Sequence, residues 1–315
     1  MRIAAIDIGT NTILMVIGEM DEDGGLRILR DEHAVVRLGE GVDIEKRIRD
    51  GALDRALDCL KQYKILAGTL HVDAFAACGT SALRDASNRD EVLRRVKAET
   101  GLSIRVLDGN READLTYLGT VDEFLEREKS RGFIVLDIGG GSTELTRGSG
   151  SVPSARESID IGSVRLTERY LKTSPPAADS LEAARAEIRK RTALITPVPA
   201  GTRLIGVAGT LTTLAAIDLG LYPYDREAVS GHVLSLQSIR RSFELLRSKT
   251  VAEIRAIPQI LPQRADIIFA GTLILTEMME RLKAVEITVS DRGLRFGILL
   301  EEFRRQRSAE KKKLR

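Results

Sequence analysis

Residues 3–18 read IAAIDIGTNTILMVIG and residues 133–148 read FIVLDIGGGSTELTRG. Each is a β-branched apolar run that ends in an acid, a turn of Gly and hydroxyl residues, and a second apolar run. Asp7 falls over Asp137, Gly9 over Gly139 and Thr12 over Ser142, a displacement of 130 residues. That is about one domain length, so the pattern predicts a duplicated domain whose first hairpin recurs in each copy. The length of 315 residues agrees with two domains at roughly 150 residues each.

Outward from the two hairpins, strands alternate with helices. Leu53, Ala56, Leu57, Leu60 and Tyr63 have helical spacing over 50–67, and VDAFAA (72–77) follows as a strand. Asn88 with Glu91 forms a capping-box pattern ahead of a helix carrying Val92 and Val96. SIRVL (103–107) reads as a strand, and 111–127 as a helix with Leu115, Leu118 and Val121 inward. In the second half Ser180 is placed to cap a helix, RLIGVAG (203–209) is a buried strand, and 265–282 is an all-round apolar, buried helix. VEITVS (285–290) and GLRFGILLEEFRRQ close the pattern as strand and helix. The expected domains are 1–125, joined by the last helix over 300–315, and 126–299, with the boundary in the charged run EREKSRG (126–132).

A tight Gly and hydroxyl turn between two strands directs backbone N–H groups outward, and such a nest holds anions without a cationic side chain. Gly9, Thr10 and Asn11 form the first such turn; Gly139, Gly140, Gly141, Ser142 and Thr143 form the second, with glycines that admit close approach of phosphate oxygens. Asp7 and Asp137 end the preceding strands beside those oxygens, where Mg²⁺, or Mn²⁺ in its place, suits a site of few carboxylates, water and phosphate. Two facing turns would make a phosphate clamp.

Composition excludes other classes. Charged residues at 30% and hydrophobic residues at 43% describe a globular chain. Aromatics at 4%, with no Trp, argue against a base-stacking nucleic-acid surface. The net charge is +2, with seven Lys/Arg and one Glu concentrated in residues 304–315. That tail reads as a solvated helix end, with a polyanion contact as its functional alternative. Cys59 and Cys78 have no metal-ligand spacing, which points to a reducing, cytoplasmic setting, and no stretch is long enough to enter a membrane. P-loop, Rossmann, nucleophile-elbow and zincin motifs are absent.

With these residues assembled, the chain resembles the exopolyphosphatase and guanosine pentaphosphate phosphohydrolase family of the sugar kinase, heat-shock protein and actin superfamily. The likeness rests on IAAIDIGTNT (3–12), RLGEGVD (37–43), GTSALRDASN (79–88), DGNREADLTYLG (108–119), LDIGGGSTEL (136–145), GVAGTLTTLAA (206–216) and SDRGLRFGILLE (290–301). The resemblance implies an α/β chain of two duplicated ribonuclease H-like (actin-like ATPase) domains with a phosphate-binding cleft between them. It implies a hydrolase acting on polyphosphate or guanosine pentaphosphate, linked to the stringent response, with a homodimer compatible. Glu112 matches the family's catalytic glutamate, which aligns and deprotonates water. Arg84 matches an arginine at the phosphate chain. Asp7, Asp137 and Glu144 fall around the metal, and Gly209 and Thr210 form a third phosphate-facing turn.

Two departures stand out. Asp108 and Asp114 replace a hydroxyl and a cation that the family places around the glutamate, and Phe296 interrupts the closing motif. Two other readings accommodate the same turns: a kinase of the same superfamily, and a non-catalytic sensor that binds an alarmone or nucleotide.

Overall fold

The structure, a computed structural model, describes residues 1–21, 25–125, 128 and 131–313, with side chains as far as 309. Most of the charged run expected to hold the domain boundary (126, 127, 129 and 130) lies outside the described residues, as do 314 and 315 of the basic tail. The chain divides into two compact units: Met1–Gly119 with Leu294–Arg315, and Thr120–Gly293.

The first unit is built on strands β1 (Arg2–Ile8), β2 (Thr12–Met20), β3 (Leu26–Val35), β4 (Ala74–Gly79) and β5 (Ile104–Val106), in the order β3-β2-β1-β4-β5. β1 to β3 are an antiparallel meander, and β4 and β5 continue from β1 in parallel. The period-2 alternation of a strand sends the apolar run of β1 to both faces. Ala4, Ile6 and Ile8 join Leu57, Leu60, Val92 and Val96 from helices Asp50–Thr69 and Arg89–Thr100. Ile3 and Ala5 face the other way and pack with Val16, Cys78 and Leu115 against Phe296, Ile298, Leu299 and Phe303 of helix Leu294–Lys313. Phe296 is therefore a core residue, 1% exposed, with the Arg295 guanidinium over its ring. Gly18 lets this helix close on β2, since a Cβ there would lie 2.8 Å from Leu299 Cδ2. Arg295 donates two bonds, of 2.8 and 2.9 Å, to the Asp31 carboxylate on β3.

The second unit contains β6 (Gly132–Ile138), β7 (Thr143–Ser149), β8 (Val152–Ile159), β9 (Arg203–Val207), β10 (Val233–Ser235) and β11 (Glu286–Val289). Its order is β10-β11-β9-β6-β7-β8, so β8-β7-β6-β9-β11 repeats the plan of the first unit and β10 adds an antiparallel edge. Helices Ala208–Leu219, Leu236–Arg247 and Ile268–Arg281 bury the core, the last on all sides from Ile268 to Met279. The duplicated actin-like α/β fold expected from the sequence is thus present in both units. Among the described residues no helix is long and apolar enough to cross a membrane.

Several local expectations are corrected. The strand expected at 72–77 is β4, two residues later, and the helix expected at 111–127 is Gly109–Val121. On that helix Tyr117 is fully buried and Leu118 only partly so. Ser180 lies inside helix Ala178–Arg191, whose N-cap is Ala177. Asn88 does occupy an N-cap, but its amide is spent across the chain on the N–H and carbonyl of Ile48, so no capping box forms. A capping box forms instead at Thr250 and Glu253.

Candidate active site

Both hairpin turns are closed by the same bond: Gly9 N–H donates to the Thr12 carbonyl, and Gly139 N–H to the Ser142 carbonyl, each at 3.0 Å. What lies behind them differs. In the first unit the Asn11 carbonyl accepts from the N–H groups of Val36 and Arg37, and the Thr10 carbonyl accepts from Gly39 at 2.8 Å. Gly39 permits that approach, since a Cβ would stand 2.3 Å from Thr10 Cγ2. The RLGEG segment is therefore the seat of the first turn.

In the second unit the seat is the start of helix Ser163–Tyr170. Ser163 N–H donates to the Gly139 carbonyl, and the N–H groups of Val164 and Arg165 donate to that of Gly140. Arg165, 7% exposed, adds a bond of 2.7 Å from Nε to the Gly141 carbonyl. A peptide plane carries its C=O and N–H on opposite sides. Anchoring the carbonyls of 139, 140 and 141 therefore turns the N–H groups of Gly140, Gly141 and Ser142 to the other side, as an anion nest requires. Gly162 has no room for a side chain, because a Cβ would fall 2.4 Å from the Gly140 carbonyl carbon. Thr143 spends its hydroxyl proton on the Ile161 carbonyl at 2.6 Å and so braces the turn.

Gly209 and Thr210 open helix Ala208–Leu219, directly after β9. β9 lies parallel to β6, with Val207 beside Asp137, so the second and third turns occur at the same end of adjacent strands. Ala208 takes a φ of 71°, a left-handed conformation unusual for a residue with a Cβ, and it tightens the strand-to-helix corner. The Arg264 guanidinium fills the space over Gly209, where a Cβ would lie 1.1 Å from Nη1. Burial pulls the Arg264 pKa below its ordinary value, opposed by Tyr224 and Asp291, but a guanidinium stays charged in proteins. Neither Arg165 nor Arg264 carries a signal in the sequence, because a lone arginine belongs to no motif or spacing.

The carboxylates fall into separate groups. Asp137 and Glu144 are direct cross-strand neighbours on β6 and β7. Glu144 is 2% exposed and accepts from Ser158 Oγ at 2.8 Å, which leaves Asp137 the more accessible of the two. Asp7 holds the matching position on β1, opposite Leu14. Among the described residues no three His, Cys, Asp or Glu side chains cluster as a metal cage. The donor set fits Mg²⁺, which keeps water and takes one or two carboxylates together with phosphate oxygens.

Glu112 stands in the first turn of helix Gly109–Val121, 7% exposed, and accepts from Arg84 Nη1 at 2.8 Å. Burial raises its pKa above the ordinary carboxylate value; the charge and hydrogen bond of Arg84 oppose this, and Asp85 adds to it. Arg84 Nη1 also donates to the Leu107 carbonyl at 3.0 Å, which fixes the guanidinium. Asp108, one of the departures, does local work: its Oδ1 accepts from Arg111 N–H at 2.8 Å and caps the helix that carries Glu112.

The chain is similar to known proteins over nearly its whole length. A model of the Ppx/GppA phosphatase family matches residues 16–306. Exopolyphosphatase 2 of Mycobacterium tuberculosis is 34% identical over 314 residues, covering 95% of this chain and 98% of its own. The crystal structure of the Aquifex aeolicus Ppx/GppA family member superposes with a TM-score of 0.81 at 33% identity, covering 97% of this chain and 98% of its own. An exopolyphosphatase from Cytophaga hutchinsonii gives a TM-score of 0.85 at 30% identity, over 95% and 97%.

Proposed function

The chain belongs to the Ppx/GppA phosphatase family, and on that premise we propose that it releases terminal orthophosphate from inorganic polyphosphate or guanosine pentaphosphate. The observation that carries the reading is the buried Glu112 carboxyl, held by Arg84 at the start of its helix. A carboxyl with a raised pKa is a stronger base once ionised, suited to taking a proton from water as the water oxygen attacks phosphorus. The bridging P–O bond breaks, its electrons stay on the shortened chain, and the proton resides on Glu112. Phosphoryl transfer needs an aligned nucleophile and stabilised charge more than covalent chemistry.

In this reading the N–H groups of Gly9, Thr10 and Asn11, and those of Gly140, Gly141 and Ser142, receive phosphate oxygens, as does the helix start at Gly209 and Thr210. Arg84 changes partner when substrate arrives, moving from the carboxylate to a phosphate oxygen. In the second unit Asp137, with Glu144 behind it, would hold Mg²⁺, and Asp7 offers a carboxylate at the matching position of the first unit; the ion when bound would neutralise charge on the phosphate chain. The relatives named exopolyphosphatase support polyphosphate as the substrate class.

Glu112→Gln tests the reading, because an amide preserves shape and removes the base. With polyphosphate and Mg²⁺ it should lower kcat by about 10²–10⁴-fold. An unchanged kcat would place the base elsewhere.

A further inference from the structure

We propose that Gly297 and Glu301 of helix Leu294–Lys313 are positioning residues for Glu112, an inference that rests on the reading of Glu112 as the base. Two contacts from this helix bracket Glu112 on its own helix. One turn beyond it, Gly297 meets Leu115 backbone to backbone: a Cβ at 297 would lie 1.9 Å from the Leu115 carbonyl oxygen and 2.5 Å from its carbon. One residue before it, Arg111 pairs with the Glu301 carboxylate, which also receives Arg105 from β5. Glu301 thus ties the first turn of the Glu112 helix to the sheet.

The ion pairs are partly exposed, with Arg111 at 42% and Glu301 at 24%, so their worth to stability is small. Their consequence is orientation. The carboxyl of Glu112 has to meet an Arg84 side chain that the Leu107 carbonyl already fixes. Sliding the helix along Gly297 by a fraction of an ångström separates the two, and a base displaced by about 1 Å loses roughly 10²-fold in rate. At Gly297 the approach demands the absence of a side chain, because the obstructing atoms belong to backbone and cannot rotate away.

The test compares Gly297→Ala and Glu301→Gln, alone and in a Glu112→Gln background, by phosphate release from polyphosphate with Mg²⁺. Each single variant should lower kcat by about tenfold to a hundredfold with KM within about twofold, and add no further loss to Glu112→Gln. Additive losses, or a change in KM alone, would overturn the proposal. Glu301→Gln alters a partly exposed side chain and keeps the test open if Gly297→Ala fails to fold. A second readout is independent of catalysis: the carboxyl-carbon NMR titration of Glu112. In Gly297→Ala it should move upward, because separation from Arg84 removes the influence that lowers it; an unmoved titration would overturn the proposal. If Glu112→Gln proves fully active while the titration moves, the catalytic reading fails and the positioning role stands.

Discussion

Arg84 Nη1 and Glu112 Oε2 stand 2.8 Å apart, so the cation expected at the phosphate chain and the carboxyl expected at the water are partners before substrate arrives. In Arg84→Ala, burial and Asp85 act on Glu112 unopposed, and its pKa rises further. A base works only when ionised, so the acid limb of the kcat/KM profile should move to higher pH, and KM for polyphosphate should rise. A limb that stays in place or moves down would show that Arg84 does not control Glu112.

The raised pKa also makes a prediction about stability. The native state holds the Glu112 proton to higher pH than the unfolded chain does, so this group costs stability as pH climbs from the ordinary carboxylate value through the raised one. Glu112→Gln removes the titration. Plotted against pH over that window, the Tm difference between variant and parent should shift in favour of the variant. A flat difference would mean that the carboxyl titrates alike in both states.

Gly39 and Gly162 seat the two hairpin turns and should respond differently to a methyl group. At Gly162 the obstruction is the backbone of Gly140 and Gly141, which cannot move without unseating the turn; at Gly39 it is the side chain of Thr10. Gly162→Ala should destabilise by about 1–3 kcal/mol and raise KM strongly, whereas Gly39→Ala should do less of both. Denaturant melts and KM for polyphosphate check the ranking, and the reverse order would refute it.

Chelation should stop phosphate release, and Mg²⁺ should restore it. Asp137→Asn should increase the Mg²⁺ concentration needed for half-maximal rate, because an amide oxygen is the poorer ligand for a hard cation. Ser158→Ala, which only frees Glu144 of one hydrogen bond, should shift that concentration less. Equal Mg²⁺ curves for Asp137→Asn and the parent would remove Asp137 from the metal site.

The hairpins were legible because their information is local: an apolar run, an acid, and a turn that only small residues make. β3 and β8 carry no such local signature. LRILRDEHAV and VPSARESI lie at sheet edges, half exposed, and their charged residues erase the apolar signature. Asn88 carries a cap pattern and sits at the N-cap, but its amide pairs with the distant Ile48 instead. The turns of the candidate site could be read from the sequence, and their seats could not. Gly162 and Arg165 act on residues more than twenty positions earlier, a relation that pairing in space creates.

The first unit borrows its last layer from the far end of the chain. The face of β1 and β2 that carries Ile3, Ala5 and Val16 is covered by residues 294–303, and Arg295 is the partner of Asp31. During synthesis that apolar face emerges from the ribosome almost three hundred residues before its cover does. That face is thus completed only after every residue of the second unit has been made. A nascent chain arrested before residue 294 presents an open hydrophobic sheet, the kind of surface that chaperones bind.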